Sequence, residues 1–78
     1  MKHAFLATVI DVEKESSDSV LVRLECDELR NSSKLLSTGL NGERSHTVRG
    51  SRAEVICERN PKATIGDTVP IIIELADE

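Results

Sequence analysis

The segment 44–52 carries the residue types best suited to binding chemistry, and it reads Arg-Ser-His-Thr-Val-Arg-Gly-Ser-Arg. An arginine guanidinium presents a planar fork of donors that fits a carboxylate or a phosphate, and serine and threonine hydroxyls can add further donors. If the chain is extended and keeps its register through the glycine, Arg44, His46 and Arg52 share a face while Arg49 points the other way. We take these four residues as the candidate binding site.

Two classes of macromolecule could use these arginines. A protein partner with an acidic surface is favoured, because arginine is frequent at interface hot spots and a basic stripe on an acidic chain can orient a partner. Single-stranded nucleic acid is the alternative. That alternative is weaker because such binding normally stacks bases on aromatic side chains, whereas Phe5 is the only aromatic residue and the net charge is −4.

The serine, histidine and cysteine residues that could support catalysis are not arranged for it. Ser45 and His46 are adjacent, so in a strand they point to opposite faces and cannot form an activated serine. Cys57 with His46 is the remaining arrangement, but Cys57 has the parity of buried residues, and a nucleophilic thiol needs exposure. Cys26 and Cys57 are 31 positions apart, without the close pairing of a zinc or redox motif. The sequence therefore predicts a non-enzyme without metal or cofactor, with both cysteines acting as small buried hydrophobic residues.

The charges are spread unevenly along the 78 residues. Residues 1–43 carry five basic and eight acidic side chains, residues 44–62 carry five basic and two acidic ones, and the rest carry four acidic and no basic ones. A basic middle is thus flanked by acidic ends. Apolar runs fall far short of the roughly 20 residues of a membrane helix, and no signal-peptide cleavage pattern follows residues 4–10. We expect a cytoplasmic protein that does not bind membranes.

Four segments show the two-residue alternation of strands: 4–13, 20–27, 51–59 and 69–75. The polar run 15–19 predicts a hairpin between the first two, and residues 65–68 predict a tight turn before the last. Pro70 cannot donate to a ladder, so it is expected on the free side of an edge strand or at a bulge. The inward positions are predicted to be Val20, Val22, Leu24, Cys26, Ala53, Val55, Cys57, Val69, Ile71, Ile73 and Leu75.

Residues 27–50 allow two interpretations. A short helix would begin at Asp27 as N-cap and end before Gly39, with Leu29, Leu36 and Leu40 on one face. A β-hairpin would instead turn at Asn41-Gly42, a strong hairpin signal. The helix is slightly favoured, with residues 43–49 extended in either case.

These elements predict a single small all-β domain over residues 1–78, with at most one short helix, as a curled antiparallel sheet or a five-stranded barrel. The element count resembles oligonucleotide-binding-type and SH3-like barrels in architecture alone, which implies no functional residues. Several apolar residues have the parity opposite to the main core, namely Phe5, Val9, Leu21, Ile56 and Ile72. They are either covered by residues 29–40 or form a partner surface, for self-association as a homodimer or for docking of another protein.

Overall fold

A computed structural model, which describes residues 1–58 and 61–75, shows one antiparallel sheet that curls into a nearly closed barrel. The strands are β1 (Lys2–Lys14), β2 (Val20–Glu25), β3 (Ser32–Thr38), β4 (Glu43–Arg49), β5 (Arg52–Cys57) and β6 (Thr68–Leu75). Their order in the sheet is β3-β6-β1-β2-β5-β4. This confirms the all-β prediction, with six strands in place of five.

Alternate residues of the strands point inward and form a single apolar core. The predicted inward parity of β2, β5 and β6 is confirmed; the predicted end of the third segment at Arg59 and Asn60 lies outside the described residues. The fully buried large side chains are Leu24, Ile71, Ile73, Val9, Val22, Val55 and Cys57. Burial of an aliphatic side chain of this size contributes about 1.5–3 kcal/mol, so this stripe supplies much of the driving force for folding.

The parity predicted for β1 is wrong. Val9 and Val12 both pair with inward residues of β2, because a β-bulge between Val9 and Asp11 adds one residue and reverses the alternation. Val9 is fully buried and Phe5 packs against the core from a half-buried position, whereas Leu6 is 66% exposed. The face assigned to self-association by sequence is therefore the core face over this part of β1.

The preferred helix over residues 27–39 is also wrong. Only one 3-10 turn forms, Asp27–Asn31, with Cys26 at the N-cap position, and Ser32–Thr38 continues as strand β3. The helical turn ends early because Asn31, Ser32 and Ser33 have low helix propensity, so an extended conformation costs them little free energy. Asn41-Gly42 does connect two strands, and Gly42 has a φ of 74°.

However, β3 and β4 are the two edges of the sheet and do not pair as a hairpin. Side chains cross the gap between them instead: His46 Nε2 donates to the carbonyl oxygen of Leu35 at 2.8 Å, and Thr38 Oγ1 donates to Glu43 Oε1 at 3.0 Å. The chain that leaves β3 packs tightly against β6, because a Cβ on Gly39 would stand 2.7 Å from Pro70 Cγ. The barrel is thus closed by side chains where the ladder is missing.

Strand β6 lies inside the sheet, so the prediction that Pro70 is on an edge strand is wrong, and the register shifts of the β3–β6 ladder lie opposite residues 72–75 and not at Pro70. The carbonyl of Pro70 accepts a hydrogen bond from Gly39 N at 2.7 Å, just beyond the end of β3. The proline nitrogen points to the same side, beyond the last residue pair of the β3–β6 ladder. Its missing N–H group therefore costs the ladder no hydrogen bond. The preceding turn spans residues 64–67, one position earlier than predicted, and Gly66 has the positive φ of 97° that this turn needs.

Candidate binding site

The β4–β5 hairpin brings Arg49 and Arg52 directly opposite each other. The expectation that Arg49 points away from Arg52 is wrong, because the chain reverses over two residues instead of running straight. Gly50, the first of them, has a φ of 57°, as the tight hairpin turn with glycine in this place requires. Directly paired residues share a face of the sheet, so both arginines project from the outer surface.

His46 lies on the other face and does not join this pair. It is paired with Val55, whose side chain is buried, and its ring spans the gap between the two edge strands. Because the Leu35 carbonyl can only accept, ring nitrogen Nε2 carries a proton. Nδ1 faces Glu43 Oε1 at 3.3 Å. Both ring nitrogens are therefore engaged within the fold, and His46 has a structural position.

Arg44 stands apart from both. A register shift between Glu43 and Ser45 places it at a bulge, at the end of β4 far from the turn. Its Nε lies 3.8 Å from Glu58 Oε1, and both side chains are about two-thirds exposed. An exposed pair of this length contributes little. Of the four predicted binding residues, only Arg49 and Arg52 are therefore brought together.

Two charged rows cross the outer face of β2, β5 and β4. In the first, Glu25 is paired with Arg52 and Arg52 with Arg49; Arg52 Nε lies 3.3 Å from Glu25 Oε2. Among the described residues, Arg49 makes no ion pair or side-chain hydrogen bond. The row therefore has one guanidinium more than it has carboxylates.

The second row surrounds Arg23, a residue that the sequence did not single out. In this row the carboxylates outnumber the guanidinium groups. Arg23 contacts carboxylates from two neighbouring strands, Asp11 and Glu13 on β1 and Glu54 on β5, the last two at 3.0 Å. Bonds to Glu13 and then Asp11 raise the pKa of Arg23 above its ordinary value. A shallow depression of about 190 Å³ lies between the rows, lined by Arg23, Arg49, Arg52 and Glu54.

The residues predicted for self-association do not form one surface. Val9 is in the core, and Phe5 packs against it. Leu21 and Ile56 are paired on the outer face of β2 and β5, both half-buried. Ile72 is 41% exposed on β6, near the more exposed Leu6. Self-association stays a prediction.

The geometry does not favour the arrangement of Cys57 with His46. Cys57 is fully buried and paired with Glu43, while His46 is paired with Val55. Burial, and next the charge of Glu43, raise the pKa of the Cys57 thiol, which disfavours the reactive thiolate. Cys26 is buried as well; its pKa is raised by burial and by its hydrogen bond to Glu28. The prediction that both cysteines are small buried residues is confirmed.

Residues 1–58 and 61–75 contain neither a group of metal-ligand side chains nor a long apolar helix. There, no three or more His, Cys, Asp or Glu side chains are grouped as a metal ion would require. No helix in this part of the chain has the length and apolar character to cross a membrane. No protein-family model, curated protein or solved structure matches the chain.

Proposed function

We propose that the protein is a non-catalytic adaptor that binds an acidic segment of a partner protein through Arg49 and Arg52. The observation that carries this proposal is the direct cross-strand pairing of two arginines, only one of which forms an ion pair within the described residues. Like charges directly opposite each other destabilise a sheet, by a few tenths of a kcal/mol to roughly 1 kcal/mol. A bound carboxylate between them would remove that cost.

A protein carboxylate suits the pair better than a nucleic-acid strand does. The positive surface is confined to two side chains, and Glu25, Glu54 and the carboxylates around Arg23 border it. A polyanion that follows a backbone over several phosphates would meet these acidic groups, whereas one or two carboxylates would not. The outer face also offers no aromatic side chain on which a base could stack.

The adaptor role is proposed without catalysis and in the cytoplasm. The thiols are buried with raised pKa values, and both nitrogens of His46 have partners within the fold, which argues against these three groups as activated nucleophiles. Two free cysteines are compatible with a reducing compartment. Together these features favour recognition by charge and shape.

The proposal is tested by titrating the ¹⁵N-labelled protein with a 12-residue Glu and Ser peptide, in which two glutamates stand at the centre of a serine chain, followed by NMR. We expect saturable shifts of the Arg49 and Arg52 Nε–H signals. The double variant Arg49→Glu/Arg52→Glu should bind about 30-fold more weakly, as loss of a hot-spot pair implies. The matched control, Arg30→Glu/Lys34→Glu, changes the net charge equally at two exposed positions elsewhere and should keep its affinity within twofold.

A parallel titration with a 12-nucleotide oligothymidylate distinguishes the alternative. If the oligonucleotide shifts the same signals more strongly than the peptide does, the nucleic-acid interpretation replaces ours. If both charge variants lose peptide binding equally, the attraction is non-specific and the assigned site is wrong. If the wild-type protein binds neither probe, the arginine pair has no role in recognition.

A further inference from the structure

The first half of β1 has a neighbouring strand on one side only. Strand β6 pairs with β1 from Lys2 to Thr8, whereas the ladder to β2 begins at Thr8. After Glu25 the chain leaves β2 and enters the 3-10 turn Asp27–Asn31. Among the described residues, no strand therefore lies on the β2 side of residues 2–7.

The hydrogen-bonding groups on that side include those of Ala4 and Leu6. Val9 N donates to Asp67 O, and Val9 O accepts from Gly66 N, both at 2.8 Å, so Val9 faces the chain that leads into β6. Because these directions alternate along a strand, Ala4 and Leu6 face away from β6. No backbone hydrogen bond within the described residues reaches them there. Each leaves one donor and one acceptor open.

A groove with an apolar floor runs beside this open edge. Leu6, Thr8 and Ile10 form the floor, and residues 25–28 form the wall, around a volume of about 510 Å³. Leu6 is two-thirds exposed. Ile10 reaches the groove because it is the extra residue of the β1 bulge. The edge thus combines open backbone groups with exposed aliphatic surface.

The wall of the groove is acidic. Glu25 is shared with Arg52, but Asp27 and Glu28 form no ion pair within the described residues. The Cys26 thiol donates to Glu28 Oε2 at 3.0 Å, and this bond lowers the pKa of Glu28, so the carboxylate is ionised at neutral pH. A ligand that fits must bring positive charge.

We propose that this edge binds an extended, cationic segment of a partner protein, which adds as a strand beside residues 2–7. Its backbone would pair with Ala4 and Leu6, its aliphatic side chains would rest on Leu6 and Ile10, and its Lys or Arg side chains would face Asp27 and Glu28. This is strand addition, in which backbone bonds supply affinity and alternate side chains supply specificity. The surface is separate from the arginine pair and selects the opposite charge.

A second copy of the chain is a poorer occupant of the edge. It would bring one lysine, Lys2, to the acidic wall, together with three carboxylates of its own. A pairing of six residues is also short for the roughly 1,200 Å² that stable interfaces bury. A foreign basic segment satisfies both the backbone and the charges.

The test uses an acetylated hexapeptide of alternating Lys and Val with the ¹⁵N-labelled protein. We expect shifts at Ala4, Leu6 and Asp27, and slower hydrogen exchange at the Leu6 amide. The double variant Asp27→Asn/Glu28→Gln should bind about 10-fold more weakly, because it removes the charges that face lysine. Its matched control, Glu15→Gln/Asp18→Asn, removes two charges at the exposed β1–β2 turn and should bind as the wild type does.

Three further probes separate strand addition from simple attraction. A peptide with N-methyl groups on alternate amides should not bind, a Lys and Ser peptide should bind clearly more weakly, and Leu6→Ser should weaken binding of the Lys and Val peptide. Equal binding of either altered peptide overturns the proposal. So does a dimer in which the Leu6 amide is already protected. Binding that persists in Arg49→Glu/Arg52→Glu shows that this edge acts independently of the proposed arginine site.

Discussion

Arg23 and Arg49 occupy the same outer face, on strands that flank β5, yet their surroundings are opposite. Arg23 is held by three carboxylates from two neighbouring strands, whereas Arg49 faces another arginine and has no carboxylate partner among the described residues. Both are arginines on strands with similar alternation, so residue type does not separate them. The balance of charge around each side chain supports a structural role for Arg23 and the proposed binding role for Arg49.

The largest effect is expected from the substitution Arg23→Met. Removing the guanidinium leaves Asp11, Glu13 and Glu54 facing one another without a cation, and their repulsion should lower the melting temperature by several degrees. In 1 M salt the deficit should shrink, because the charges are then screened within about 3 Å. Thermal unfolding by circular dichroism at both salt concentrations checks this; a deficit that salt does not change would mean that packing of the arginine stem dominates.

A smaller effect is expected from Glu54→Gln, which alters both regions at once. Glu54 contacts Arg23 and lines the depression beside the arginine pair. Without its charge, the surface near Arg49 becomes more positive, and affinity for the Glu and Ser peptide should rise about threefold. The titration described above measures this. A fall in affinity would show that Glu54 positions the arginines instead of opposing their ligand.

The smallest effect is predicted for Arg49→Thr. A strand favours threonine, and the substitution removes a like charge opposite Arg52, so the free energy of unfolding should change by less than about 0.5 kcal/mol. Chemical denaturation followed by circular dichroism is sufficiently accurate to check this. A marked loss of stability would place Arg49 with Arg23 among the residues that hold the sheet together.

Much of the sheet could be predicted because alternation is a local property. Strands β2, β5 and β6 show their inward faces directly in the sequence. The face of β1 could not be read in the same way, since a single extra residue at Ile10 reverses the alternation and leaves no mark in composition. Residues 32–38 pair with β6, a distant segment that overrides their mixed local preferences.

The site was harder to predict than the sheet. Arginine content pointed to residues 44–52, but the pairing of Arg49 with Arg52 depends on where the chain reverses, and Gly50-Ser51 was not treated as that point. The neutralisation of Arg23 was out of reach, because its carboxylates come from strands whose register is set only by folding. Counting arginines finds a basic segment; only the counter-ions show which side chain is available.

The position of β6 has a consequence for how the protein is made. This strand follows the other five described strands along the chain, yet it lies between β1 and β3, and among the described strands it alone pairs with β3. Until residues 68–75 have emerged from the ribosome, a nascent chain can form the β1–β2 hairpin but cannot complete its barrel. Assembly therefore waits for β6, and its speed is limited by the search that brings β6 between two strands that lie far from it along the chain.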